Sequence, residues 1–255
     1  MKRFILFLII IGIIGVGIFV LPTRTAAPHE QATPTQTTKA DESEFFEPSE
    51  TLARNIIKNA LSAQFNTETA TYKVADLDHK GGPELIIGAA TENTATIQVL
   101  AILNKEGAYE RIGKIEYQEL IREAPESKEL SDIDGDGQEE IIMSLMYGGA
   151  SSWAEGILDV DFAKRTTQWV QMRNKDGQIQ DAIFVLAASA AYSNRFEILD
   201  IDNDGKKELS EIFAQAILDE TECEVNVYEW DDTLFAFDKI LSEQTRERLG
   251  SDCAM

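Results

Sequence analysis

The pattern of apolar and polar positions divides the chain into four stretches. Phe4 to Leu21 is an uncharged apolar run (FILFLIIIGIIGVGIFVL) preceded by Lys2 and Arg3. As a helix its length is about 27 Å at 1.5 Å per residue, close to the roughly 30 Å of a bilayer core. The run has no polar face, so lipid suits it better than a globular interior. Residues 1–21 are therefore expected to form a signal-anchor, with the flanking positive charges setting an N-in, C-out orientation. A cleaved signal peptide, and hence a secreted product, is the competing reading; the run is long for one, and the Thr25-Ala26-Ala27 stretch is a poor cleavage site. Residues 22–48 carry four of the six prolines among Thr, Ala, Gln and Glu, with no periodicity. They predict a disordered stalk, in which His29 is a solvated linker side chain.

Residues 49–66 then show helical spacing. Ser49 is placed to cap a helix from Glu50, and Leu52, Ile56, Ala60, Leu61 and Phe65 fall on one face to about residue 65. That stripe predicts packing against the domain that follows. From residue 70 to 255 the apolar runs shorten to strand length. The fold class expected is mainly β: an antiparallel β-repeat array, or a partial or small β-propeller-like domain, with the N-terminal transmembrane helix and one amphipathic helix.

Self-similarity organises this β region. VADLDHKGGPELIIG (Val74 to Gly88), LSDIDGDGQEEIIMS (Leu130 to Ser144) and ILDIDNDGKKELSEI (Ile198 to Ile212) align without gaps. The common frame has Asp at positions 1 and 3, Gly at 6, Glu at 9 and an aliphatic residue at 10. A turn sequence follows each segment: Asn104–Gly107, Asn174–Gly177 and Trp230–Asp232. These turns lie between β-like runs, Thr96–Leu103 and Tyr109–Ile115, Gln168–Met172 and Ile179–Leu186, Glu224–Trp230 and Leu234–Ile240, and predict hairpins. The second unit has a longer loop around Tyr147 to Gly156.

The acidic segments 76–84, 132–140 and 200–208 carry the candidate chemistry. Asp132, Asp134, Asp136 and Glu140 crowd four carboxylates into one turn, as do Asp200, Asp202, Asp204 and Glu208. Such crowding is unfavourable unless a cation lies among them. Positions 1, 3 and 5 of a curled loop turn their oxygens toward one centre, and Gly137 and Gly205 permit the reversal. The position-7 carbonyl and the position-9 carboxylate complete a shell of hard oxygen ligands, which selects Ca²⁺ over transition metals. The first loop has Asp76, Asp78 and Glu84 at positions 1, 3 and 9 but Lys80 at position 5. An ammonium there opposes a second cation, so this loop is the weaker candidate, and His79 beside it is read as a surface residue.

These segments resemble the FG-GAP and VCBS-type repeats of the integrin α-chain β-propeller and of bacterial surface proteins. The resemblance covers Tyr72 to about Leu241. It implies that each acidic loop joins the first two strands of a blade and binds Ca²⁺, through Asp132, Asp134, Asp136 and Glu140 in the second loop and Asp200, Asp202, Asp204 and Glu208 in the third. The chain departs from the family in having Glu at position 9 and in lacking the Phe-Gly…Gly-Ala-Pro signature. Three units also fall short of the usual blade number. Either a degenerate unit occupies 145–195 or the sheets form an open array capped by the 50–65 helix. The EF-hand is the rival carrier of such a loop: Glu211 stands at position 12 of the third loop, with Phe196 and Leu199 before it as in an entering helix. Lys207 at position 8 and Met143 at position 12 of the second loop depart from that pattern.

Charge narrows the function. With 23 basic and 45 acidic residues the formal net charge is −22, which argues against nucleic acid as a partner. No G-x-S-x-G, P-loop, G-x-G-x-x-G or H-E-x-x-H motif is present, and the acids best placed for a glycosidase pair belong to the loops. Trp153, Trp169 and Trp230 fit strand packing better than a sugar platform. Cys223 and Cys253 are the two cysteines, available to pair outside the cytoplasm. The expectation is a non-enzymatic, membrane-anchored, extracytoplasmic Ca²⁺-binding domain of the cell surface, for adhesion or protein or glycan binding. An EF-hand-like Ca²⁺-responsive regulator is the alternative, and a secreted carbohydrate-active enzyme a distant third.

Overall fold

The computed structural model describes residues 46–117, 123–146, 152–187, 192–217 and 220–250. The apolar run 4–21, the stalk as far as residue 45, and Cys253 lie outside the described residues. Among the described residues no helix is long and apolar enough to cross a membrane. All of them belong to one compact unit, which is mainly β with antiparallel sheets and two helices.

Helix α1 spans Glu50–Ala60, with the Ser49 hydroxyl accepting the Leu52 N–H at 3.3 Å as its N-cap. It ends earlier than the periodicity implies, because Leu61 is extended. The Phe65 N–H then bonds to the Ser62 carbonyl in a turn. That turn still returns Phe65 to the apolar face used by Ala53, Ile56, Ile57 and Ala60.

Three β-meanders follow. The first runs β1 (Thr71–Ala75), β2 (Glu84–Ala90), β3 (Ala95–Ile102) and β4 (Tyr109–Tyr117), paired in that order. The second has β5 (Glu126–Ser131), β6 (Glu140–Met146) and β7 (Ser152–Asp161); the last half of β7 pairs with β8 (Thr166–Trp169) and its first half with β11 (Ile183–Ala187). The third comprises β12 (Tyr192–Leu199), β13 (Glu208–Ile217), β14 (Glu220–Trp230) and β15 (Phe235–Asp238). The hairpin β9 (Gln171–Arg173) and β10 (Ile179–Asp181) extends this sheet, through a parallel pairing of β9 with β15.

Three expectations are corrected. Ser152–Gly156 belongs to strand β7, so the long loop of the second unit stops short of it. The runs Gln168–Met172 and Ile179–Leu186 each change sheets midway, at Val170 and Ala182. Backbone bonds among Ile157, Val170 and Ala182 hold the crossing. Finally, Leu234–Ile240 is not one strand: Asp238 caps helix α2 (Lys239–Leu249), accepting the Leu241 N–H at 2.7 Å.

The packing is layered. Helix α1 covers one face of the first sheet, against Leu85, Ile87, Leu100 and Ile102. The other face, with Ile86, Ile97 and Val99, packs on Ile141, Met143 and Leu158 of the second sheet. The opposite side of that sheet, with Ile142 and Ile157, meets Leu209, Tyr228 and Phe235 of the third. Ile212, Val225 and Val227 on the last face pack with Leu241 and Leu249 of α2. Alternate residues of β6 thus enter different cores, which is why Ile141, Ile142 and Met143 run on without polar alternation. Each end of the stack is closed by a helix.

Candidate cation-binding loops

The three acidic segments adopt one conformation, set by the same hydrogen bonds. Each joins an antiparallel strand pair: β1 to β2, β5 to β6, β12 to β13. The position-1 carboxylate accepts the position-6 glycine N–H, Gly81 to Asp76 at 3.0 Å, Gly137 to Asp132 at 3.1 Å and Gly205 to Asp200 at 3.2 Å. The position-3 carboxylate accepts the position-5 N–H, at 3.1 Å in Asp78, 3.0 Å in Asp134 and 3.1 Å in Asp202. Positions 4 and 6 have positive φ throughout: His79 and Gly81, Gly135 and Gly137, Asn203 and Gly205. Glycine holds position 6 because that backbone region penalises a Cβ.

Position 9 is the anchor. Glu84, Glu140 and Glu208 begin the return strands and are 4%, 5% and 1% exposed. Each turns one oxygen back to the position-2 N–H: Leu77 to Glu84 at 2.8 Å, Ile133 to Glu140 at 2.7 Å and Ile201 to Glu208 at 2.5 Å. Leu77 and Ile133 are buried in the two intersheet cores. The loops are also strung together along one edge of the stack. The Glu139 N–H donates to the Leu77 carbonyl at 2.9 Å, and the Lys207 N–H to the Ile133 carbonyl at 3.4 Å, a bond from position 8 of one loop to position 2 of the loop before it.

Carboxylate oxygens converge in all three. Asp76, Asp78 and Glu84 form one group, Asp132, Asp134 and Asp136 a second, Asp200, Asp202 and Glu208 a third, each with oxygens within 4.8 Å of one another. Glu140 and Asp204 stand outside those tight groups. Burial, with the neighbouring carboxylates adding to it, pushes the Glu84 carboxyl up to about 7 and that of Glu140 up to about 8. Asp134 and Glu208 are raised for the same reasons. An acid held this way gains from a cation, which removes both the repulsion and part of the cost of burying charge.

Strands next to the loops supply carboxylates that the motif does not reveal. Asp159 lies on β7 one residue beyond the Ile141–Leu158 pair, across from Glu140. Burial raises its carboxyl, and Asp136 adds to this. Glu229 occupies the corresponding place in the third sheet, one residue beyond the Leu209–Tyr228 pair, and is raised by burial and then by Asp238, Asp202 and Asp204. In the first sheet the partner of Glu84 is Ala101. The separation along the chain differs among the units, so these acids have no fixed place in the repeat frame. Only the strand register finds them.

Loop one differs in a second way. The Lys80 ammonium pairs with Asp78 at 3.0 Å while its side chain stays 73% exposed, so it neutralises the loop from outside. The Asp76 Oδ1 is buried without a hydrogen-bond partner. The converging groups are carboxylates alone, hard oxygen donors of the kind that can hold a metal cation.

Other candidate residues fall elsewhere. Phe196 and Leu199 are on strand β12 and Glu211 is inside β13, paired with Phe196, so no helix flanks the third loop and Glu211 is not part of it. Trp169 is buried between the first two sheets, edge-on to Tyr117 at 6.2 Å. Trp153 packs against the next core. Trp230 leans on Phe235 at 5.1 Å. Cys223 is disulfide-bonded, and Cys253 is the only other cysteine of the chain. No protein-family model, curated protein or solved structure matches this chain.

Proposed function

We propose that this chain is a non-enzymatic, membrane-anchored protein that displays a Ca²⁺-binding β-repeat domain outside the cytoplasm, for adhesion or for binding a protein or glycan. The observation that carries it is one acidic loop built three times with the same hydrogen bonds and linked loop to loop along one edge. The carboxylates hold the turn by accepting its N–H groups, and the crowding of their oxygens within 4.8 Å is what a cation would relieve. In this reading the units are repeats of the FG-GAP and VCBS type, stacked as an open array between two helices rather than closed as a propeller. Ca²⁺ occupies the second and third loops, where Asp159 and Glu229 bring the acids to five. Lys80 and Ala101 leave the first loop with three acids and a cation of its own. The ions tie each loop to its strand pair, and the apolar run 4–21 holds the domain at the membrane.

Two measurements on the full-length chain test this reading. Membrane fractionation with mass spectrometry of the mature N-terminus should recover the intact N-terminus in the membrane; a soluble product starting near Ala26 or Ala27 would make the protein secreted instead. Melting in non-ionic detergent should be raised by millimolar Ca²⁺, and an unchanged melting temperature would reduce the loops to acidic turns.

A further inference from the structure

Between the second and third sheets lies a pocket of about 250 Å³ whose walls differ in character. Its floor is apolar: Ile133, Val170 and Phe235 are buried there, and Trp230 stands beside Phe235 with the ring centroids 5.1 Å apart. Its rim is acidic, with Asp134, Asp136 and Glu140 from the second loop, Asp159 and Asp161 from β7, and Asp232 from the turn between β14 and β15. No basic side chain lines it. Lys164 pairs with Asp161 at 2.7 Å and Lys206 with Asp232 at 3.4 Å, both from outside. Among the described residues Asp134, Asp136, Glu140 and Asp159 form no salt bridge, although Lys164 acts on Asp159 electrostatically. Glu140 spends one oxygen on the Ile133 N–H, and no hydrogen bond among the described residues engages the other.

An apolar floor under a carboxylate rim is the complement of one kind of group, an aliphatic stem ending in a cation. Lysine and arginine side chains bury such stems while the head seeks charge. The aspartates of the rim supply opposite charge at short range, and Trp230 lines the same pocket beside Phe235. A sugar would find few donors here, since the Gln168 amide N–H already donates to Asp159 and that of Gln171 to Asp181. We infer that this pocket takes a basic side chain, lysine or arginine, presented by a partner protein. The partner surface is thus a basic one, matched to a chain of net charge −22. Asp134 and Asp136 serve both the pocket and the second loop, so Ca²⁺ and the basic group compete.

The test titrates the full-length chain in non-ionic detergent with chelator and about 0.15 M salt, where exposed charges are screened beyond about 8 Å. The probes are Nα-acetyl-lysine amide and Nα-acetyl-arginine amide, with Nα-acetyl-glutamine amide and methyl α-mannoside as neutral controls. The readout is tryptophan fluorescence. At least one basic probe should bind tenfold or more tightly than both neutral ones, and 10 mM Ca²⁺ should weaken it. Asp159→Asn should reduce its affinity at least fivefold. Asp232→Asn, in an exposed turn with φ of 70° that Asn tolerates, should do so without disturbing the fold. Equal binding of basic and neutral probes, tighter binding of the sugar, or variants that bind as the parent does would overturn the assignment. Because the titration is done without Ca²⁺, its failure is separate from a failure of the cation loops.

Discussion

Replacing Glu140 separates the two tasks assigned to the position-9 acid, holding the loop and binding a cation. Its oxygen accepts the buried Ile133 N–H at 2.7 Å. Glu140→Ala leaves that donor without an acceptor, a loss of about 1–3 kcal/mol. For a unit of this size each kcal/mol moves the melting temperature by roughly 2–4 °C, so Glu140→Ala should melt about 2–12 °C below the parent, with or without Ca²⁺. Glu140→Gln keeps a carbonyl oxygen for the same bond. Burial already raises the native carboxyl to about 8, so the neutral amide resembles the form present at pH 7. In chelator the Gln variant should therefore lie within about 1 kcal/mol of the parent. With Ca²⁺ it should fall behind. A site with Kd of about 10⁻⁴–10⁻³ M contributes roughly 1.4–2.7 kcal/mol at 10 mM Ca²⁺, and Glu140→Gln should lose most of the second loop's share. Scanning calorimetry of both variants, with chelator and with 10 mM Ca²⁺, reads all four values. If Glu140→Ala melts with the parent in chelator, the buried hydrogen bond does not hold the loop and the reasoning fails.

Asp159→Asn and Glu229→Gln should each weaken Ca²⁺ at their own loop by roughly fivefold, the effect of one unit charge a few ångströms away in a partly hydrated site; calorimetric titration checks this, and unchanged affinities would remove both residues from the sites. In chelator, stability should decline as pH rises from about 5 to 8. The sign follows from the raised carboxyls: their contribution is complete below the ordinary value of 4.5 and is lost as pH passes about 7 for Glu84 and about 8 for Glu140. Chemical denaturation along that series should show the decline, and Ca²⁺ should flatten it by displacing the protons. At Gly156 a Cβ would come within 2.6 Å of the buried Trp169 ring, so Gly156→Val should cost about 1–3 kcal/mol and alter the near-ultraviolet signal of that indole; a melting temperature equal to the parent's would mean that the indole does not lie tightly over Gly156 of the neighbouring strand.

The frame of Asp, Asp, Gly, Glu and aliphatic residue was enough to locate the three loops, because the first four positions bond within their own turn and the aliphatic one enters a core next to it. The Ser49 cap and the strands of the first unit were equally legible, since local periodicity and local capping determine them. The rest depends on partners distant in the chain. The crossing at Val170 and Ala182 is decided by pairing with Ile157, and a continuous apolar run carries no mark of a change of sheet. Helix α2 buries Ser242 and Thr245 rather than a leucine stripe; Ser242 accepts the Val227 N–H at 2.9 Å, a polar docking that hydrophobic spacing does not register. Asp159 and Glu229 read as ordinary polar strand residues until register sets them beside the loops.

The function proposed for this chain requires that the second and third loops hold Ca²⁺ and that the first does not. Calorimetric titration of the full-length chain in detergent with CaCl₂ addresses this directly, on the parent and on Asp134→Ala, Asp202→Ala and Asp78→Ala. The parent should bind about two ions with affinities in the range expected of extracellular modules. Asp134→Ala and Asp202→Ala should each bind one, and Asp78→Ala should still bind two, since Lys80 already supplies that loop's positive charge. No binding by the parent at millimolar Ca²⁺, or stoichiometries that ignore Asp134 and Asp202, would contradict the account; a third ion removed by Asp78→Ala would overturn the role given to Lys80.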